Sequence, residues 1–322
     1  MARYLLRRLG FALLLVFVVS SASLVLTRLA PGDFTMEQGL NIDETMRARM
    51  RAELGLDRSL PAQYLSWLGG VARLDFGRSL LYSRPVTSLI GERALNTAVL
   101  ATGALLIATL IGIPLGVYSG SRVGGSGRSI VRILSVFGLS VPPLIGSLGL
   151  VLLAARTGWF PVGGMNSVGG VDMTWAAWLG DLARHLPMPA LALALPMAAT
   201  LERLQSQATA AAMREPFVAA SRARGVTDLH ALTRHAFPVS LRPVLGLYGV
   251  MIGSLFSGSF IVEVVTSWPG LGKLMFDALK AHDLYLVAGC AAAGAVFLAT
   301  GTLIADALLA WSDPRVSTEA RP

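Results

Sequence analysis

Side chains that could bind a metal or carry out catalysis are few and widely spaced in this sequence. Histidine occurs at His185, His230, His235 and His282, and the one cysteine, Cys290, lies in an apolar stretch. Protein metal sites need several such ligands at close spacing, and no Cys/His cluster here has that spacing. We therefore expect no bound metal and no intrachain disulfide, with Cys290 serving as a small hydrophobic side chain.

The two lysines, Lys273 and Lys280, bear on whether this chain can hydrolyse ATP. A P-loop reads Gly-x-x-x-x-Gly-Lys-Ser/Thr, because the lysine reaches the outer phosphates and the hydroxyl binds magnesium. Lys273 is followed by Leu274, and Ser267 stands where the first glycine is required. The sequence also lacks the Gly-x-Ser-x-Gly and His-Glu-x-x-His motifs. We expect no enzyme activity and no bound cofactor, so nucleotide chemistry must come from another polypeptide.

The composition indicates a protein that lies in a lipid bilayer. Of the 322 residues, 54% are hydrophobic and 14% are charged, whereas soluble domains carry roughly 25% charged residues. The formal net charge is +8, carried almost entirely by arginine. Basic loops are expected in a membrane protein, and no zinc-finger spacing or RNP-like motif accompanies the charge, so we expect no binding to nucleic acid.

Uncharged stretches of about 20 residues are long enough to cross the roughly 30 Å hydrocarbon layer as helices. Five stretches qualify, at residues 9–27, 94–121, 133–155, 243–262 and 284–305. A sixth, residues 186–201, contains Pro187, Pro189 and Pro196, so it could also be a re-entrant segment or a buried helix. We favour six spans, with the sixth lengthened into the interface through Glu202 and Arg203. The predicted fold is all-α and polytopic.

The distribution of arginine predicts the orientation of the chain. With six spans, the N-terminus and the loops at 122–132 and 202–242 share one side, and the last of these loops carries six arginines. The positive-inside rule places that side and both termini in the cytoplasm, in a bacterial plasma membrane. We divide the chain into a first span with an extracytoplasmic loop of amphipathic helices (1–93), a five-helix core (94–312) and a cytoplasmic tail (313–322).

The segment from Glu202 to Arg242 is too long and too patterned to be a simple connector. Pro216 suits a first helical turn, Gly225 can end that helix in the left-handed conformation, and Thr227 can cap a second helix. The pattern predicts two short helices at an angle, with small side chains exposed beside arginines. Such a surface suits docking against another protein, and an amphipathic helix on anionic lipid is the alternative.

This segment resembles the EAA loop of ATP-binding-cassette importer permeases. In Ala219-Ala220-Ser221-x-x-x-Gly225 with the later Pro238, the residues Ala220, Gly225 and Pro238 agree with the family pattern. Ala219 replaces the family's glutamate, Ser221 its second alanine and His235 its usual isoleucine. Further motifs resemble those of dipeptide and oligopeptide permease B subunits. They are Glu53 to Leu65, Asp75-Phe76-Gly77-Arg78-Ser79-Leu80, Ser267-Trp268-Pro269-Gly270-Leu271-Gly272 and Asp313-Pro314-Arg315.

The resemblance implies the transmembrane domain of a type I importer. It implies a second homologous permease, two cytoplasmic ATPase subunits that bind ATP and magnesium, and an extracytoplasmic solute-binding protein. The implied coupling positions to the ATPases are Phe217, Ala219, Ala220, Ser221, Arg224, Gly225 and Pro238.

The small residues and prolines of the central spans are candidates for lining the translocation pathway. They are Ser140, Pro142, Pro143, Gly253 and Gly258, which permit close approach or a local break in a helix. The resemblance implies that the solute is a peptide or a related molecule such as a nickel chelate or glutathione. An ion-coupled secondary transporter is the alternative mechanism, although it normally needs ionisable groups near the bilayer midplane and internal repeats, neither of which is evident.

Overall fold

A computed structural model describes residues 2–32, 34–37, 44–53, 55–121, 127–167 and 174–312. In these residues the regular structure consists of helices, which confirms the all-α prediction. The helices are α1 (Ala2–Leu29), α2 (Phe34–Glu37), α3 (Glu44–Glu53), α4 (Leu60–Val71), α5 (Val86–Gly120), α6 (Gly127–Ser140), α7 (Pro143–Thr157), α8 (Trp175–His185), α9 (Pro187–Ala212), α10 (Pro216–Ala223), α11 (Asp228–Ala231), α12 (Phe237–Val265), α13 (Leu271–Lys280) and α14 (Leu284–Ser312). Asp313-Pro314-Arg315 and the predicted tail lie outside the described residues.

Four stretches of described helix are long and apolar enough to cross a membrane: Arg8–Leu29, Val86–Gly120, Asp228–Leu255 and Leu284–Ile304. They correspond to four of the predicted spans. The predicted span 133–155 is broken in the structure, because α6 and α7 meet at an angle of 104°. Pro142 and Pro143 lack backbone N–H donors, so the helix breaks there. Counted as one broken span, α6 and α7 raise the number of spans to five.

The predicted sixth stretch forms α9, which is longer than expected and is the best-packed helix of the described chain. Its second half carries Glu202, Arg203 and Gln205, so its hydropathy falls below that of a spanning helix. Glu202 was expected to reach into the interface, but it is 4% exposed, with Oε1 accepting a hydrogen bond from Ser119 Oγ. In this half of the helix Glu202 and Gln205 are therefore buried, whereas Arg203 is exposed as predicted for an interfacial end.

The chain forms two compact units. The core unit comprises residues 98–268 together with the described residues after 299, and the N-terminal unit comprises residues 2–97 and 269–299. Helices α5 and α14 contribute residues to both units. The coupling segment predicted at 202–242 belongs to the core unit.

Close contact between α5 and α9 organises the core unit. A Cβ atom on Gly116 would lie 2.7 Å from the carbonyl oxygen of Glu202, and one on Gly120 would lie 2.2 Å from that of Ser206. These distances are too short for any side chain, so the helices touch through their backbones. Gln205 Nε2 extends the contact to α12, donating to Ser240 Oγ at 2.9 Å.

The loop between α7 and α9 is fixed by hydrogen bonds of its own. Asp181, on α8, accepts hydrogen bonds from the backbone nitrogen of Ser167 and from Ser167 Oγ, both at 2.7 Å. His185 Nδ1 lies 3.4 Å from Asp181 Oδ1 and is itself buried. The N-terminus of α8 is capped by Thr174, whose hydroxyl accepts from the nitrogen of Ala177.

In the N-terminal unit, α4 packs on α1 and α14. Trp67 is buried with Leu24 and Ala288, and Ser21 Oγ lies 3.0 Å from Tyr64 Oη. The near-helical spacing of apolar side chains from Leu54 to Leu68 predicts amphipathic helices that lie either on the membrane or on the helix bundle. For α4, the burial of Trp67 favours the bundle.

A buried carboxylate joins two sequence-distant segments of the N-terminal unit. Asp283 Oδ2 accepts hydrogen bonds from Ser79 Oγ at 2.6 Å and from the nitrogen of Leu81 at 3.0 Å. Asp283 Oδ1 accepts from the nitrogen of Leu286 at 3.1 Å and so caps the start of α14. We call this arrangement the Asp283 clamp. It explains why the Asp75-to-Leu80 motif needs a serine at position 79.

Candidate functional site

The predicted pair of short helices forms a bent segment, here called the elbow, at residues 216–236. Helix α10 ends at Ala223, Gly225 has φ +86°, and α11 begins at Asp228 with Thr227 as its cap. A residue with a Cβ atom is strained at this φ, which accounts for the glycine. A π-helical turn, Leu232–Ala236, then leads directly into α12. The turns and caps thus fall where the sequence predicted them.

The inner side of the elbow is a small apolar cluster. Val218, Ala231 and Ala236 are fully buried and pack with buried residues at the end of α9, and the partly buried Val117 of α5 packs against this cluster. An ion pair closes the bend on the outside, with Arg222 Nε 2.8 Å from Asp228 Oδ1. The elbow is therefore packed against α9 and α5, and a force on it would be passed to these helices.

The outer side of the elbow is open. Phe217 is 43% exposed, and Ala219, Ala220, Arg224, Gly225 and Pro238 are also exposed. Ser221 corrects the prediction, because it is buried. It lies three residues after Val218, on the same inward side of α10, and so cannot contact a partner in this conformation.

One residue that sequence reasoning missed lies on the same outer surface. Leu229, on α11, is 62% exposed. The sequence pattern that indicates it is a leucine between Asp228 and His230 in a polar loop, because a large apolar side chain exposed on a loop is typical of a contact surface.

An apolar cavity of about 320 Å³ lies among α6, α7, α9 and α12. Pro143 and Gly258, both predicted to line the pathway, are on its wall, together with Leu193, Pro196 and Met251. Two wall residues carry hydroxyls, Thr200 and Ser254, and these donate to backbone carbonyls of their own helices. The wall therefore offers an apolar surface without ionisable groups among the described residues.

The other three predicted pathway residues lie away from this cavity wall. Ser140 is exposed at the end of α6 and donates to the carbonyl of Val136 at 2.8 Å. Pro142 is the exposed N-cap of α7. The nitrogen of Gly253 would lie 3.5 Å from a Cβ on Gly301, so Gly253 faces α14. The five candidates thus do not share one surface. The bend between α6 and α7 separates Ser140 and Pro142 from the cavity wall, and Gly253 faces α14 while Gly258, on the same helix, faces the cavity.

A second cavity, of about 250 Å³, lies between α6 and α9 and is strongly polar. Its wall includes Arg132 and Ser135 from α6 and Glu202, Arg203 and Ser206 from α9. Leu139 lines both cavities, so they adjoin. Sequence reasoning did not single out this group, because its members lie on two helices about 70 positions apart.

No group of three or more His, Cys, Asp or Glu side chains that could hold a metal ion is present in the described part of the chain.

Two known protein families together match nearly the whole chain. A family described as "Binding-protein-dependent transport system inner membrane component" matches residues 112–318. The N-terminal family of the same transport systems matches residues 1–100.

Individual relatives agree with these families. The oligopeptide transport system permease protein AppB of Bacillus subtilis is 32% identical over 319 residues, covering 98% of this chain and 99% of the relative. A putative peptide permease protein of Brucella ovis is 32% identical over 322 residues, with the same coverage. The dipeptide transport system permease protein DppB of Lactococcus lactis is 30% identical over 318 residues, again covering 98% and 99%.

Proposed function

Since the chain belongs to the family of binding-protein-dependent transport system inner membrane components, we propose that it forms half of the translocation pathway of an ATP-driven peptide importer. The observation that carries this proposal is the near-complete match to peptide permeases, over 98% of this chain. The predicted elbow at residues 216–236 and the cavities of the core unit are consistent with it.

The proposed machine contains more than this chain. A second homologous permease completes the pathway, two ATPase subunits on the cytoplasmic side bind ATP and magnesium, and an extracytoplasmic protein delivers the solute. This chain then needs no nucleotide site, in line with the P-loop argument for Lys273 and Lys280. We further propose that α9 also crosses the membrane as the sixth span, so that both termini and the elbow face the cytoplasm, in line with the arginine distribution.

The elbow is the proposed contact with an ATPase subunit. Phe217 and Leu229 supply exposed apolar surface, and Ala219 and Ala220 allow close approach between them. A coupling element can shift the equilibrium between two permease states only by the difference in contact free energy that it makes in those states. The buried cluster around Val218 keeps the elbow attached to α9, so movement of an ATPase subunit displaces the helix that lines both cavities.

Bulky substitution on the outer side of the elbow tests the proposal. In proteoliposomes containing the complete importer, Ala220→Trp should lower ATP-driven uptake of a peptide probe at least tenfold, since the indole would hold the ATPase away. The matched control is Ala176→Trp, an exposed alanine on α8, which should transport like the wild type. Gly225→Pro should also abolish uptake, because proline cannot adopt the φ of +86°.

The same vesicles separate this proposal from secondary transport. Uptake by the wild type should require internal ATP and should persist when the proton gradient is collapsed. Uptake that follows the proton gradient and ignores ATP would contradict the proposed importer. Normal ATP-driven uptake by Ala220→Trp would contradict only the proposed contact between the elbow and an ATPase subunit.

A further inference from the structure

One side of α9 lines both cavities of the core unit. Leu193, Pro196, Met197 and Thr200 lie on the wall of the apolar cavity, and Arg203 and Gln207 lie on the wall of the polar one. Apart from Met197, which is next to Pro196, they follow one another at spacings of three or four residues, which places them along one side of a helix. Because Leu139 borders both cavities, a solute moving along this side would pass from an apolar surface to a charged one.

The charged groups of the polar cavity have opposite signs and are not paired with one another. Glu202 is 96% buried, and the hydroxyl of Ser119 fixes its carboxylate through Oε1. Arg132 and Arg203 line the same cavity, and no described acidic side chain lies within ion-pair distance of either. A buried carboxylate with a neutral hydrogen-bond donor still favours a cation, and a guanidinium favours a carboxylate.

We propose that the polar cavity binds the charged end groups of a short zwitterionic peptide. Arg203, together with Arg132, receives the C-terminal carboxylate, because a guanidinium binds a carboxylate through two parallel hydrogen bonds. Glu202 receives the N-terminal ammonium. A cavity of about 250 Å³ suits a peptide of very few residues or the end of a longer one. The inference rests on the proposed peptide importer and adds a binding site within its pathway.

The phosphate of a lipid headgroup is the competing occupant for two arginines near a membrane surface. The position of Glu202 argues against it, since a buried carboxylate on the same wall repels a phosphate. A peptide with both terminal charges uses all three groups. The two occupants differ in one respect that can be measured, namely whether an ammonium group contributes to affinity.

The test is a binding measurement on the permease and ATPase subunits in lipid nanodiscs, without the extracytoplasmic solute-binding protein. The probes are dialanine, N-acetyl-dialanine and dialanine amide. The wild type should bind dialanine saturably and each analogue at least tenfold more weakly. Glu202→Gln should remove the penalty for acetylation, and Arg203→Gln should remove the penalty for amidation, since each penalty measures one pair of charges.

Arg242→Gln is the matched control. Arg242 is an exposed arginine on α12 that does not line the cavity, so both penalties should persist in this variant. Arg203 is also exposed, so Arg203→Gln should fold normally even if the buried Glu202→Gln does not.

Three results would overturn the inference: no saturable dialanine binding by the wild type, equal binding of all three probes, or an unchanged amidation penalty in Arg203→Gln. A dependence of binding on phosphatidylglycerol rather than on the peptide's end groups would assign the arginines to lipid. These failures remain distinct from failure of the proposed function, because ATP-driven uptake by the complete importer is measured separately. Uptake without dialanine binding would remove this inference alone.

Discussion

The elbow and the Asp283 clamp both turn the chain sharply, and each contains a glycine with positive φ, Gly225 at +86° and Gly77 at +88°. They are stabilised differently. The clamp is centred on a fully buried carboxylate that accepts hydrogen bonds from Ser79, Leu81 and Leu286. The elbow is packed on small apolar side chains, and its ion pair is formed by an Asp228 carboxylate whose side chain is 60% exposed.

This difference indicates different roles. The clamp directs its polar groups inward, which fixes a loop against the start of α14. The elbow fills its interior with alanine and valine and leaves its outer side open for another protein. A segment that must move as a unit with a partner needs a firm attachment on one side and a free surface on the other. The elbow has both.

The largest expected effect comes from the buried carboxylate. Asp283→Ala leaves the hydroxyl of Ser79 and two backbone N–H groups without their acceptor, so it should lower the free energy of unfolding by about 3 kcal/mol. Asp228→Ala removes an exposed ion pair and should cost about 0.5 kcal/mol. Thermal unfolding of the purified variants in detergent measures both. Equal shifts would contradict the contrast between the clamp and the elbow.

Substitutions of the two glycines test the same comparison with a smaller expected effect on stability. Gly225→Ala and Gly77→Ala each force an L-residue into the left-handed region, at a cost of about 1 to 2 kcal/mol. The new Cβ at position 77 would also lie 3.4 Å from Cγ of Tyr285, whereas position 225 has no atom within 4 Å. Gly77→Ala should therefore be the more destabilising variant in the same unfolding experiment. The reverse order would show that the elbow is more tightly packed than the clamp.

Much of the elbow could be predicted from the sequence because its signals are local. Pro216, Gly225 and Thr227 begin a helix, end it and cap the next one within twelve positions. The inward direction of the Ser221 side chain could also be predicted from the sequence, because Ser221 lies one helical turn after Val218. The resemblance to a family motif favoured the interpretation that every motif position contacts the ATPase. Helix geometry corrects this interpretation for Ser221.

The clamp and the polar cavity could not be predicted, because their partners are far apart in the chain. Ser79 meets Asp283 across 204 positions, and Glu202 meets Ser119 across 83. Such pairs depend on how the helices pack. The size of the bend between α6 and α7 could not be predicted for another reason, although Pro142 and Pro143 were expected to permit a local break. Hydropathy is insensitive to direction, so an apolar run that contains two adjacent prolines scores like a straight span.

The smallest expected effect concerns Asp181, whose side-chain exposure of 11% lies between those of Asp283 and Asp228. Hydrogen bonds from the backbone nitrogen and hydroxyl of Ser167 lower the pKa of the Asp181 carboxyl, and the nearby His185 and Arg184 act in the same direction. The folded state thus favours the ionised carboxylate. Its stabilising contribution is complete above the unfolded pKa, near 3.9, and is lost as the pH falls through the lower folded pKa.

Asp181→Asn should therefore differ most from the wild type at neutral pH and least in acid. The measurement is the difference in thermal midpoint between wild type and variant, followed from about pH 5 down to about pH 3. A constant difference over this range would mean that the Ser167 contacts do not depend on the carboxylate's charge. Asp181 would then stabilise its loop through the geometry of its hydrogen bonds rather than through its charge.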